Sequence, residues 1–179
     1  KWRKIPRQVN TPSPRSQHSA VLFQNKMVII GGKNGETVFN TICIFDFINY
    51  NWETIQNNEI PKLYGHSSFN LFDVYIITIG GRNNIDSKIK NCFIIKCKKD
   101  FQFIQNQNGG NVPDLIYDFG LCYDFKGNSF VAFFNGSLFI IKLPERLESY
   151  SKDFKDSFCD SKNNLINMKS RSLSAHSKI

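Results

Sequence analysis

The chain has 179 residues, enough for a domain with a real core, and 41% of them are hydrophobic and 14% aromatic. That composition favours a packed protein over a disordered one, and no apolar run approaches the ~20 residues of a membrane helix, so no membrane partner is expected. The formal charge of +8 invites a nucleic-acid reading, but the lysines are scattered. Lys, Asn, Ile and Phe together make up 75 of the 179 residues, and all four draw on A/T-rich codons. Much of the charge is therefore read as genome bias on solvated faces rather than as a nucleic-acid surface.

Taken in order, the chain starts with Lys1 and no signal-peptide pattern, and it is read as a piece of a longer polypeptide. Trp2-Arg-Lys-Ile5 has the same aromatic-to-Ile spacing as Trp52-Glu-Thr-Ile55 and Phe101-Gln-Phe-Ile104. A proline follows each (Pro12, Pro61, Pro113), so residues 1–10 are expected to be the last strand of a preceding repeat. The Pro12/Pro14 stretch predicts a loop. Strands are then expected at 18–23, 27–30, 38–47 and 52–55, joined by turns, the second closed by Gly31-Gly32. Four short strands with tight turns make an antiparallel meander.

The next stretch repeats that order, with His66, strands at 74–79, 92–97 and 101–104, and Gly80-Gly81 after the first of these. From one unit to the next His18 advances by 48 to His66, Gly31 by 49 to Gly80, and Trp52 by 49 to Phe101. Matching offsets at three chemically different positions mark a repeat. A third, eroded unit has strands at 119–123, 130–134 and 137–143, with Asn135-Gly136 in place of the glycine pair, and a marginal fourth at 150–154. A polar tail follows. The units are 11–60, 61–112 and 113–154, with the tail at 155–179.

The five cysteines have irregular spacing and no CxxC, so free thiols in a reducing, cytoplasmic setting are expected; Cys43, Cys92 and Cys122 read as small buried hydrophobes. His18 and His66 recur at one repeat position, which marks them as architecture. No spacing suggests a metal site, a nucleophile elbow or a phosphate loop, so neither metal nor cofactor is expected. Trp2, Trp52 and Phe101 are expected in blade cores.

The pattern Arg15-x-x-His18-Ser19, an apolar strand, Gly31-Gly32, Phe45-Asp46 and Trp52 resembles the kelch repeat. The second unit keeps His66 and Gly80-Gly81, has Leu63 where the Arg stands and puts Phe101 in place of Trp. The resemblance implies an all-β fold, a partial kelch β-propeller of about two to three four-stranded antiparallel blades. It also implies a non-catalytic protein–protein interaction module within a scaffold or substrate adaptor, completed by further blades or another chain. The alternatives are a propeller fused to an enzyme such as a phosphatase, or a propeller enzyme with its site in other blades. In such modules the loops after the glycine pair and before the first strand meet partners. By position these are Arg15, Lys33, Asn34, Glu36, Lys62, Arg82, Asn83 and Asn84. Arginine there suits a protein or acidic peptide, because its planar fork holds a carboxylate by two hydrogen bonds.

Overall fold

A computed structural model describes residues 2–56, 58–83, 92–97, 101–105, 118–124, 129–134 and 136–142. Among them there is no helix, only thirteen strands. Blade 1 is a four-stranded antiparallel meander of β1 (Ser19–Phe23), β2 (Lys26–Ile30), β5 (Thr41–Asp46) and β6 (Asn51–Gln56). Between its second and third members lies a hairpin of β3 (Lys33–Asn34) and β4 (Thr37–Val38). Blade 2 repeats the meander with β7 (Ser67–Leu71), β8 (Tyr75–Ile79), β9 (Cys92–Cys97) and β10 (Phe101–Gln105). Blade 3 has β11 (Gly120–Asp124), β12 (Ser129–Phe134) and β13 (Ser137–Lys142). All three sheets lie essentially within one compact unit, Lys1–Ile141.

Between blades it is the first strands that meet, β1 with β7 and β7 with β11. The sheets therefore stack face to face from their first strands, as propeller blades do. Burial follows from this arrangement. In β1 it alternates, because Val21 and Phe23 face blade 2 while Ala20 and Leu22 face away. In β8 every residue is buried, because blade 2 has a neighbour on each side. One face of blade 2 gives Ile76, Ile95 and Cys97 to a cluster with Val21, Phe23, Val28, Ile30, Ile42 and Ile44 of blade 1. On the other face Phe69 packs against Tyr123 and Phe130, with ring centroids 5.6 and 5.4 Å away. Each such aromatic pair adds about 0.5–1.5 kcal/mol beyond its buried area.

Three differences from the sequence expectation have simple causes. The third strand of blade 1 begins at Thr41 rather than residue 38, because Thr37–Val38 folds back on Lys33–Asn34 around Gly35 at φ 56. Residues 2–8 form no strand, and Trp2 is fully exposed rather than in a core, since no described strand lies beside it to supply ladder bonds. Cys122 is exposed rather than buried, because it sits on the face of β11 turned away from blade 2. Cys43 and Cys97 are buried and free, and burial pushes the Cys97 thiol up to about 12. Trp52 is half-buried, its ring 5.0 Å from Phe45. The side chain of Phe101, the strand at 150–154 and the tail at 155–179 lie outside the described residues.

The glycine pairs are joints between blades. The Gly31 N–H donates to the Thr41 carbonyl (3.0 Å) and the Gly32 N–H to the Leu63 carbonyl (2.7 Å). Gly31 is at φ 55, and a Cβ there would land on the Leu63 carbonyl and 3.2 Å from His66 Cε1. Gly35 shares that backbone region but has nothing within 4 Å. Gly31→Ala is therefore expected to cost well over the ~1–2 kcal/mol of a left-handed alanine, and Gly35→Ala only about that much. Urea unfolding of the two variants checks it: equal losses would mean that the joint tolerates a side chain.

Candidate functional site: the glycine-pair end of the blades

The loops that carry the expected partner-binding residues gather at one end of the blades, where the first strands begin and the second strands finish. Ser19 pairs with Ile30, and Ser67 with Ile79, which fixes this end in both blades. Three backbone positions run across it. Gln17, Gly65 and Asp118 each precede a first strand and each has a positive φ, of 53, 67 and 50. The Gly65 N–H donates to the Gln17 carbonyl (2.8 Å), and the Asp118 N–H donates to the Gly65 carbonyl (2.7 Å). Gly65 has no side chain, so Gln17 Nε2 reaches across to Asp118 Oδ2 at 2.7 Å.

Next come the histidines. His18 is exposed and His66 is buried in the joint between blades 1 and 2. His66 Nε2 lies 2.9 Å from Ser19 Oγ, which is itself 2.6 Å from Ser68 Oγ, and Ser68 Oγ is 2.9 Å from Thr78 Oγ1. A serine beside a histidine nitrogen resembles a nucleophile and its base. Here both groups are buried in the joint, out of reach of a substrate. The pair fits a polar clamp between blades. Burial drives the His66 pKa down to about 3, the Ile30 backbone opposing this and the charge of His18 adding to it. A hollow of ≈ 380 Å³ lies over this point, lined by Gln17, His18, Ser67, Asp118 and their neighbours.

Around that centre stand the eight expected residues. Lys33 and Arg82 occupy equivalent places, each exchanging backbone hydrogen bonds with the residue two before a repeat histidine. Lys33 pairs with Ser16 (2.8 and 2.9 Å) and Arg82 with Tyr64 (2.9 Å each way). The Lys33 ammonium also sits 4.6 Å from the centroid of the Tyr64 ring, so a cation of blade 1 lies on the tyrosine whose backbone is bridged to Arg82 of blade 2. Sequence reading missed Tyr64; its signal is its place two before His66, where Ser16 precedes His18. Asn34 and Glu36 are exposed on the β3–β4 hairpin, Asn83 is half-buried, and Asn84 lies outside the described residues.

Arg15 and Lys62 are apart from that row and line a second cleft, of ≈ 950 Å³, with Ser13, Phe39, Trp52 and Glu53. Lys62 is exposed. Arg15 is half-buried and committed to the fold. Its Nη1 donates to the Gly31 carbonyl and to Thr41 Oγ1 (3.0 Å each), and its guanidinium lies 4.1 Å above the Phe39 ring. Arg15 thus braces the glycine pair, where position alone had suggested a partner contact. At the opposite end the turns carry acids. Asp46 accepts from the backbone of Asn49 (2.9 Å) and Ile48 (2.7 Å), which holds its carboxyl below the usual range. Asp73 caps its own turn through Asn70. Among the described residues no group of three or more His, Cys, Asp and Glu could hold a metal ion.

The depressed His66 pKa has a definite sign. Unfolded, the ring binds a proton near pH 6.5; folded, it does not until about pH 3. Stability is therefore expected to fall progressively as pH drops from about 6.5 towards 3. His66→Asn should lower stability at pH 7 and flatten that slope, as read from urea midpoints across the range. Parallel pH profiles for the two proteins would rule out a buried neutral ring.

Comparison with known proteins agrees with this geometry. The family model described as the KLHDC2/KLHL20/DRC7 Kelch-repeats domain matches residues 1–133. A curated relative, the Rho GTPase-activating protein gacHH of Dictyostelium discoideum, is 34% identical over 110 residues, 60% of this chain. The matched region is 7% of that relative's length, so the chain spans a small part of it. With meandering sheets stacked from their first strands and a glycine–histidine joint between the first two, the chain belongs to the kelch-repeat family.

Proposed function

We propose that this chain is a non-catalytic protein-binding module whose glycine-pair end receives an acidic segment of a partner protein. The observation that carries this reading is the Lys33 ammonium of one blade lying on the Tyr64 ring of the next, with Arg82 bridged to the Tyr64 backbone. An aromatic ring under one ammonium, with an arginine bridged to its backbone, offers a carboxylate counter-charge and offers the neighbouring side chain an apolar surface.

The outer faces of the end blades support completion by further blades. Leu22 on blade 1 is 63% exposed, and on blade 3 Phe133, Leu138 and Ile140 are 56, 70 and 72% exposed. Apolar faces of this kind bury surface against another sheet. His18 has the place in blade 1 that His66 has in blade 2, yet it is exposed, as a joint half awaiting its neighbour would be. Under this reading Trp2–Ile5 belongs to the blade before.

A second reading, favoured by the likeness to a Rho GTPase-activating protein, makes the module a recognition arm of a larger regulator of small GTPases. The two readings are compatible, since a propeller can hold a partner for a catalytic region elsewhere.

An Asp/Glu-rich peptide is expected to bind and its Asn/Gln counterpart not to. Arg82→Ala or Lys33→Ala should weaken binding about tenfold, the scale of one charge-assisted hydrogen bond, with the thermal midpoint almost unchanged. Fluorescence anisotropy checks it. Equal affinity of the Arg82→Ala protein removes that residue from the site, and tight low-salt binding of a single-stranded oligonucleotide in place of the peptide overturns the reading.

A further inference from the structure

The stretch Thr11-Pro12-Ser13-Pro14-Arg15 holds two hydroxyl residues, each followed by proline. Proline restricts the residue before it to an extended backbone, so both hydroxyl residues lie in an open strand-like conformation. Residues 11–15 accordingly form neither helix nor ladder. The two hydroxyls are not equivalent. Thr11 is half-buried and its Oγ1 accepts the Gln8 N–H at 2.7 Å, while its own N–H donates to the Gln8 carbonyl. Ser13 is exposed, and among the described residues its hydroxyl meets Arg15, whose Nη2 donates to it at 3.3 Å.

We propose that Ser13 is a phosphorylation site for a proline-directed serine/threonine kinase, with Arg15 as the built-in receiver of the phosphate. In the transfer the Ser13 hydroxyl oxygen bonds to the γ-phosphorus of ATP. The bond from that phosphorus to the β–γ bridging oxygen breaks, ADP leaves with the electron pair, and the hydroxyl proton passes to the kinase's base. The new group carries about −1.5 to −2 charges at pH 7 and three acceptor oxygens.

The guanidinium is already in place. Arg15 has five N–H donors. Nη1 serves Gly31 and Thr41, Nε donates to the Ser13 carbonyl at 3.2 Å, and Nη2 points at the Ser13 hydroxyl with one further hydrogen to give. A phosphate on Ser13 can therefore take both Nη2 hydrogens without displacing the bonds to the glycine pair. Lys62 is exposed on the same cleft and adds a second cation; Glu53 also lines the cleft and disfavours an anion placed close to it. Modification would pin residues 13–15 to the Gly31 carbonyl through one side chain and turn the local charge negative. The proposal stands whether or not the acidic-partner reading holds.

The test treats the full 179-residue chain with a proline-directed kinase and Mg·ATP, then locates phosphate by tandem mass spectrometry. One phosphate on Ser13 is expected, retained in Thr11→Val and lost in Ser13→Ala. Transfer to Thr11 alone, or none, overturns the proposal. The receiver is read by phosphorus NMR. The second ionisation of the phosphoserine, ordinarily near pH 6, should lie about half a pH unit or more lower in the folded wild type than in the same protein in urea. Arg15→Gln should remove that difference. Should that variant fail to fold, the wild-type comparison decides alone: the same ionisation folded and unfolded eliminates Arg15 as the receiver.

Discussion

Each glycine pair is a place where two backbones must touch. Gly32 meets the Cβ of His18 in its own blade, and Gly81 meets the Cβ of His66 in its own. Gly31 meets the Leu63 carbonyl and the ring of His66, both from the next blade. Both glycines of the first pair thus serve the joint, Gly31 by close contact with Leu63 and His66 and Gly32 by its hydrogen bond to the Leu63 carbonyl. Any side chain at either position would hold the sheets apart by the width of a methyl group, and the polar clamp of Ser19, His66, Ser68 and Thr78 needs them in contact. Blade 3 bears this out in reverse. Phe119 follows Asp118 there, where His66 follows Gly65, and Gly136 at φ 76 has nothing within 4 Å. Without the histidine there is no close approach for a glycine to allow.

The same joint organises the charged rim. Tyr64 and Arg82 share a backbone bridge because Gly81 lets the chain pass within reach of the Tyr64 carbonyl. That bridge holds the ring under the Lys33 ammonium of the blade before. Arg15 approaches from the other side, to the Gly31 carbonyl. The cations at this end are therefore held by packing rather than left to wave in solvent, and a partner would meet them with less entropy to lose.

Much of the fold was legible because the repeat states it twice. The strand from Cys92 to Cys97 agrees with the expected range end for end, since its Phe-Ile-Ile run lies between cysteines, with Lys96 the one polar residue and polar flanks on either side. The hairpin at 33–38 was not legible: Thr37-Val38 reads equally well as the start of a long strand, and only the competing turn at Gly35 diverts it. The placement of the rim residues was legible in part. Repeat position led correctly to Lys33 and Arg82 as equivalents, because both follow a glycine pair. It gave no sign of what the structure adds for Arg15, since nothing in a linear pattern says that a guanidinium will turn inward onto Phe39 and the Gly31 carbonyl. Tyr64 was invisible for a related reason. Its role depends on the preceding blade's lysine, which is 31 positions away in sequence.

The three residues at positive φ, Gln17, Gly65 and Asp118, are linked carbonyl to amide from one blade to the next. Each link ties only neighbours, so the loss of one blade leaves the remaining links unstrained. Stability in such a chain is a sum over adjacent pairs, and cooperativity has a short range. Opening should begin at a blade with one neighbour and travel inward, with blade 2, covered on both faces, the last to surrender its amide protons to exchange.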